Sequence, residues 1–307
     1  MSSGEQPRIV VTGGAGFIGS HVADRLLGFG HEVLIVDNLA SGSRANIPSS
    51  AQFEHCDVAD VSLAPLLQRW RGEVVAHCAA QVSVAVSMRD PAMDARSNII
   101  GTIRTAQAAA DSGCRRFIYV TTGGALYGDP QYLPCDENHP IMPLSPYGLS
   151  KMTAERYLDL LAPETMLRLV LRLANVYGPR QRSDGEGGVV SIFAERMKND
   201  LPVEINGDGR QTRDFAYIRD VVDSVVAALD VKHSVTANIA TETAVSVLDL
   251  YDAMARISGY SKPPVFVPPR VGDVRESRLA IGRARRELSW SPHTPLEQGL
   301  RETYASL

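Results

Sequence analysis

Cysteine, long apolar runs and excess charge are all scarce in this chain of 307 residues. Cys56, Cys78, Cys114 and Cys135 share no Cys-x-x-Cys spacing, and the few histidines form no metal-ligand pattern. That excludes a disulfide framework and a metal site from the expectations, and four reduced, mostly buried thiols are expected instead. No apolar run reaches the ~18 residues that a membrane span requires, and the polar start Met1-Ser2-Ser3-Gly4-Glu5-Gln6 is not a signal peptide. A cytoplasmic protein is the expectation. A net charge of -4 and a pI near 6.0 give no global pull toward nucleic acid or an anionic membrane. Any anionic ligand must be held by local groups.

What is present is an alternation of strands and helices around glycine. Hydrophobic residues at 44% and charged residues at 21% suit a globular chain, long enough for two modest domains or one α/β unit with an elaborated end. Arg8-Ile9-Val10-Val11-Thr12 reads as a buried strand, Gly13-Gly14-Ala15-Gly16-Phe17-Ile18-Gly19 as a tight loop, and Ser20 to Phe29 as a helix. Glycines at 13, 16 and 19 let backbone approach a pyrophosphate, and the helix start offers free N–H groups with a positive dipole end. The next strand, Glu32 to Val36, ends in Asp37. An acid there can accept both hydroxyls of an adenosine ribose and repels the extra phosphate of NADP, so NAD is expected.

The alternation continues through Phe53 to Asp57, a helix around Val61 to Trp70, Val74 to Ala80, a long helix from about Asn98 to Ser112, and Phe117 to Thr122. Strand and helix in turn, without internal repeats, predict a Rossmann-type doubly wound parallel sheet with helices on both faces. A ligand belongs at the carboxyl ends of its strands, where Asp57, Ala79 and Thr121 fall.

Ser145-Pro146-Tyr147-Gly148-Leu149-Ser150-Lys151 is the stretch with chemistry in it. Ser145 is a good N-cap and Pro146 suits the first helical position, so Tyr147 and Lys151 share one helix face. A free phenol titrates near ~10 and is a poor base at neutral pH unless a nearby cation stabilises its anion. Lys151 is such a cation.

These segments, together with Asp37-Asn38-Leu39, His77-Cys78-Ala79-Ala80, Tyr127-Gly128 and Asn175-Val176-Tyr177-Gly178-Pro179, resemble the extended short-chain dehydrogenase/reductases acting on nucleotide sugars. Within that group the chain most resembles the UDP-glucose 4-epimerases and their uronate-acting relatives. The resemblance implies an NAD-binding domain over residues 1–175. A smaller C-terminal α/β substrate-binding lobe follows over 176–307, with later segments returning to the sheet. It further implies a homodimer through the helices at about 98–112 and 146–161, with no nucleic-acid or membrane partner.

By resemblance, Tyr147 is the acid/base and Lys151 lowers its pKa while meeting the nicotinamide ribose. Gly13, Gly16, Phe17 and Ile18 cradle the pyrophosphate; Asp37 and Asn38 hold the adenosine ribose; Asp57 and Val58 meet adenine. Ala79, Ala80, Asn98 and Thr121 complete the cofactor wall. For the UDP-sugar, the matching positions are Asn175, Arg213, Arg270 and Asp273, with Arg275 as additional charge. An arginine's planar fork suits phosphate oxygens.

The same comparison separates reaction types. Sugar dehydratases resembling this group carry Thr-Asp-Glu where this chain has Gly123-Gly124-Ala125, and elimination needs that second acid and base. C4 inversion through a transient 4-keto sugar is therefore expected, with NAD regenerated. Most 4-epimerases have a serine or threonine in the place of Gly123, so Thr122, or a water in the space left by Gly123, is expected to bond the sugar 4-oxygen. Arg182, in Gly178-Pro179-Arg180-Gln181-Arg182, matches the arginine that uronate epimerases place near C6. It tilts the expectation to UDP-glucuronate/UDP-galacturonate, with UDP-glucose/UDP-galactose as the alternative. A non-catalytic NAD(H) sensor and a keto-sugar reductase are the lesser readings.

Overall fold

The β-branched run after Arg8 forms β1 (Ile9–Thr12), all four residues buried. In the computed structural model, which describes residues 6–183, 187–269 and 274–307, there follow α1 (Phe17–Gly28), β2 (Val33–Asp37), β3 (Gln52–His55), α2 (Leu63–Trp70), β4 (Val74–His77), α3 (Val84–Arg89), α4 (Pro91–Ala95), α5 (Gly101–Asp111), β5 (Arg116–Thr122), α6 (Pro146–Leu161) and β6 (Leu167–Leu173). Later come β7 (Asn175–Tyr177), α7 (Val189–Lys198), β8 (Glu204–Asn206), β9 (Thr212–Arg213), β10 (Phe215–Tyr217), α8 (Ile218–Ala228), β11 (Val235–Ile239), β12 (Val245–Ser246), α9 (Val247–Ser258), β13 (Val265–Val267), α10 (Gly282–Glu287) and α11 (Leu296–Ala305).

Seven strands form one sheet in the order β11-β6-β5-β4-β1-β2-β3. The pairs from β3 to β5 are parallel. From β1 the chain winds outward to β2 and β3, then returns to β4 on the other side of β1. Such a reversal leaves a crevice at the carboxyl ends of the two central strands. In register there, Thr12 pairs with Val36 on one side and His77 on the other, and His77 pairs with Tyr119. The continuous apolar runs of β1, β2 and β4 are wholly buried, as strands covered on both faces must be, while the edge strand β3 is half exposed. Val10, Leu34, Leu67, Phe117 and Leu158 belong to one core cluster under this cover.

Two compact units divide the chain. The first comprises residues up to Thr121, Pro146–Leu171 and Val222–Ala237. The second comprises Thr122–Ser145, Arg172–Val221 and Asn238–Leu307. It contains three small strand pairs, β7 with β10, β9 with β12, and β8 with β13.

One helix differs from its sequence pattern. The helix expected from about 98 to 112 starts earlier, because α4 runs straight into a π turn over Arg96–Ile100 that continues as α5 at Gly101. The wider turn inserts an extra residue per bond, which turns Asn98 inward and buries it.

Candidate functional site

On the first unit, the glycine loop is shaped by close approach. Gly13 has φ +68, and a β-carbon on it would lie 2.6 Å from the backbone nitrogen of Ala79. A β-carbon on Gly19 would lie 2.2 Å from the Gly13 carbonyl oxygen. Only glycine permits α1 to start this near β1, so Gly16, Phe17 and Ile18 open the helix directly over the loop. Gly16 is the N-cap and offers no side-chain cap, leaving the first N–H groups of α1 to a ligand. That cradle fits the pyrophosphate of a dinucleotide.

Asp37 is buried at the end of β2 and works on the loop itself. One carboxylate oxygen accepts from Ala15 N–H at 3.0 Å and the other from Leu39 N–H at 2.7 Å. Each oxygen retains a second lone pair for a ribose hydroxyl. Beside it, Asn38 Nδ2 donates to Asp57 Oδ2 at 3.2 Å, Asp57 Oδ1 accepts from Ala59 N–H, and Val58 is buried. The fold thus gathers Asp37, Asn38, Asp57 and Val58, which the sequence places in two separate segments.

Tyr147 and Lys151 lie one turn apart at the start of α6, Tyr147 half-buried and Lys151 buried. Lys151 Nζ donates to the Val120 carbonyl at 3.2 Å and lies 4.5 Å from the centroid of the Tyr119 ring. Burial pushes its pKa down to about 8, against the opposing pull of Glu155, Cys78 and Asp94. The cation is therefore fixed in place and still mostly charged at neutral pH. Thr121, next along β5, is also buried.

Ala79 and Ala80 lead into a network that periodicity gives no hint of. Asn98 accepts from Gln81 N–H at 3.1 Å and donates to the Gln81 carbonyl at 3.0 Å. Its amide also donates to Asp94 Oδ1, which the Gln81 side chain meets at 2.7 Å. Asp94 is fully buried, and its second oxygen accepts no hydrogen bond. Gln81 and Asp94 were no part of the expected site; a spacing rule cannot find them, because the π turn resets the helix phase.

The second unit holds the remaining candidates. A β-carbon on Gly124 would lie 3.6 Å from Asn175 Oδ1, 3.9 Å from Ser277 Oγ and 4.0 Å from Thr122 Oγ1, so three polar oxygens converge there. Thr122 Oγ1 accepts from Ala125 N–H at 3.2 Å, and its own proton remains available to a partner. A β-carbon on Gly123 would be 2.5 Å from Leu279 Cδ1, so Leu279 packs against that glycine.

Arg213 lies on β9, where Thr212 N–H donates to the Arg275 carbonyl and Ser277 N–H to the Thr212 carbonyl. These bonds bring the segments of Arg213 and Arg275 side by side. Arg275 is engaged by Asp208 through two bonds, at 2.7 and 3.0 Å, which hold the Asp208 carboxyl well below the usual range. Arg182 is exposed at the approach to α7, and its carbonyl accepts from Ser191 Oγ at 2.7 Å. Arg270 and Asp273 lie outside the described residues.

Known proteins resemble the chain in both sequence and fold. The sequence model of the NAD-dependent epimerase/dehydratase family matches residues 9–240. A protein of Methanocaldococcus jannaschii named as a putative UDP-glucose 4-epimerase is 42% identical over 295 residues, 95% of this chain and 96% of its own. The crystal structure of a Thermotoga maritima UDP-glucose 4-epimerase with UDP-glucose superposes with a TM-score of 0.95 at 43% identity, over 97% of this chain and 98% of that one. A Thermus thermophilus UDP-glucose 4-epimerase in complex with NAD gives 0.91 at 37% identity, over 97% and 98%.

Proposed function

The chain belongs to the NAD-dependent epimerase/dehydratase family, and from that premise we propose that it is an NAD-dependent UDP-sugar 4-epimerase interconverting UDP-glucose and UDP-galactose. The observation that carries the reading is the Tyr147–Lys151 turn, with the lysine buried, charged and tied to Val120. Tyr147 removes the proton of the sugar 4-hydroxyl and later returns one to the 4-oxygen. Lys151 stabilises the phenolate between those steps. NAD, when bound, supplies the acceptor and donor for the C4 hydride. Thr122 is assigned the second hydrogen bond to the 4-oxygen, and Asn175, Arg213, Arg270, Asp273 and Arg275 the UDP. Gly123-Gly124-Ala125 offers no acid for elimination, which argues against a dehydratase.

Support for the neutral hexose comes from relatives at 42% and 43% identity that are named for UDP-glucose. They outweigh the tilt that Arg182 gave to the uronates. The exposed apolar side chains of α6, Leu149, Tyr157 and Leu160, support a homodimer through this helix and α5. Four free cysteines support a reducing compartment, and among the described residues no helix is long and apolar enough to cross a membrane. We place the enzyme in the cytoplasm, and set the functional division between cofactor and sugar-nucleotide portions near residue 175.

The test is incubation of the purified protein, without reductant, with UDP-glucose and UDP-glucuronate separately, following C4 inversion by NMR. Formation of UDP-galactose with the uronate untouched is expected. Inversion of the uronate alone would return the assignment to Arg182 and C6.

A further inference from the structure

We propose that His77 is a positioning residue for the cofactor-facing loop: fixed as the Nε2–H tautomer, it ties Ala79 to the backbone of Asn98. This rests on the reading of Ala79–Gln81 as part of the cofactor wall, and not on the identity of the sugar.

Four contacts form the chain. Thr102 Oγ1 lies 2.7 Å from the Asn98 carbonyl oxygen and 3.1 Å from His77 Nε2. His77 Nδ1 lies 2.7 Å from Thr12 Oγ1, which lies 3.4 Å from Ala79 N. The direction of every proton follows from one end. A carbonyl oxygen only accepts, so the single hydroxyl proton of Thr102 points to Asn98, and toward His77 the same oxygen must accept. Nε2 therefore carries the ring proton. Nδ1 is bare and takes the proton of Thr12, whose oxygen is then open to Ala79 N–H.

A cationic ring does not fit this chain. A second proton on Nδ1 would oppose the Thr12 hydroxyl, and His77 is wholly enclosed. Its ring stacks on Tyr119 with centroids 5.7 Å apart, and the other face of the local charge is Lys151, 4.5 Å from that same tyrosine. Burial first, and Lys151 second, push the His77 pKa down to about 3.

Asn98 reaches the loop by a second route, through both backbone groups of Gln81. The N–H of Ala79 and the N–H and carbonyl of Gln81 are thus held from one residue of the π turn, twice directly and once through His77. Because the Gly13 turn abuts Ala79 so closely, a loop displaced by a broken relay loses its fit to the glycine cradle.

The experiment uses the full chain labelled with 15N-histidine. One of seven imidazoles, identified by its absence in His77→Asn, should show a protonated Nε2 and a bare Nδ1 unchanged from about pH 5 to about pH 9, where an ordinary histidine titrates. Thr102→Val should abolish the fixed tautomer and weaken NAD binding in calorimetry about tenfold, the scale of one buried group left unpaired. Thr102→Ser should retain both properties. An Nδ1–H ring, titration within that pH range, or a Thr102→Val protein that binds NAD as tightly as the unaltered chain overturns the proposal. The spectrum of the unaltered protein decides the matter even if Thr102→Val does not fold. No readout here involves a sugar, so failure to turn over UDP-glucose would leave this inference standing.

Discussion

Lys151 and Tyr119 form a buried cation–π pair, the ammonium 4.5 Å from the ring centroid and neither side chain more than 2% exposed. With the Val120 carbonyl as its hydrogen-bond partner, the ammonium has a fixed position one turn from Tyr147. Desolvation makes this arrangement costly, and the cost is visible as a lowered pKa.

Stability and activity should respond to pH in opposite directions. Lys151 has a folded pKa of about 8 against the ordinary lysine value of 10.5, so the unfolded chain binds its proton more tightly. Stability from this group therefore rises as pH climbs from about 8 toward 10.5, while turnover falls as the cation is lost. Asp94 is one of the groups that raise this pKa. Asp94→Asn should move the alkaline limb of the kcat profile to lower pH; an unmoved limb would remove Asp94 from the account.

Lys151→Met should lower kcat by at least ~100-fold, the usual scale of a lost acid–base component. The same change replaces a desolvated cation by an apolar side chain, and is expected to stabilise the fold at pH 7 by about 1–3 kcal/mol. Urea unfolding measures the second effect. A destabilised variant would mean that the Val120 and Tyr119 contacts outweigh desolvation.

Restoring the hydroxyl that most 4-epimerases carry should be harmful here. Gly123→Ser drives a β-carbon into Leu279 and is expected to cost about 1–3 kcal/mol through overpacking. Combining it with Leu279→Ala should recover part of that loss, which a denaturation series of the two single variants and the double variant reads directly. Additive losses would show that the two sites do not compete for the same volume.

Asp37→Asn replaces one of two accepting oxygens by a donor that faces a backbone N–H. Loop stability should fall by about 1–3 kcal/mol, the range for one buried group left unsatisfied, and NAD binding should weaken at least about tenfold at the same time. Calorimetry with NAD checks it. Unchanged affinity would restrict Asp37 to holding Ala15 and Leu39.

Asp208→Asn releases the fork of Arg275 from its ion pair. Both groups are solvent-exposed, so the melting temperature should stay the same. If Arg275 meets phosphate, KM for UDP-glucose falls in this variant and rises in Arg275→Ala, with kcat little changed in either. A KM indifferent to both changes would take Arg275 out of the substrate site.

The sequence by itself determined the sheet's central part, the glycine loop, the acid at Asp37 and the shared face of Tyr147 and Lys151. Each depends on neighbours within a strand, a turn or a helix, where backbone geometry translates spacing directly into direction. Only the tertiary structure decided that Leu279 packs against Gly123, that Asp208 occupies Arg275, and that Thr12, His77 and Thr102 form one line. Strand register sets Thr12 and His77, the first two residues of that line, opposite one another, and the π turn of Arg96–Ile100 precedes the helix that carries Thr102. Close packing and hydrogen bonds between distant segments depend on such register and phase, to which the periodicity of a single segment is blind.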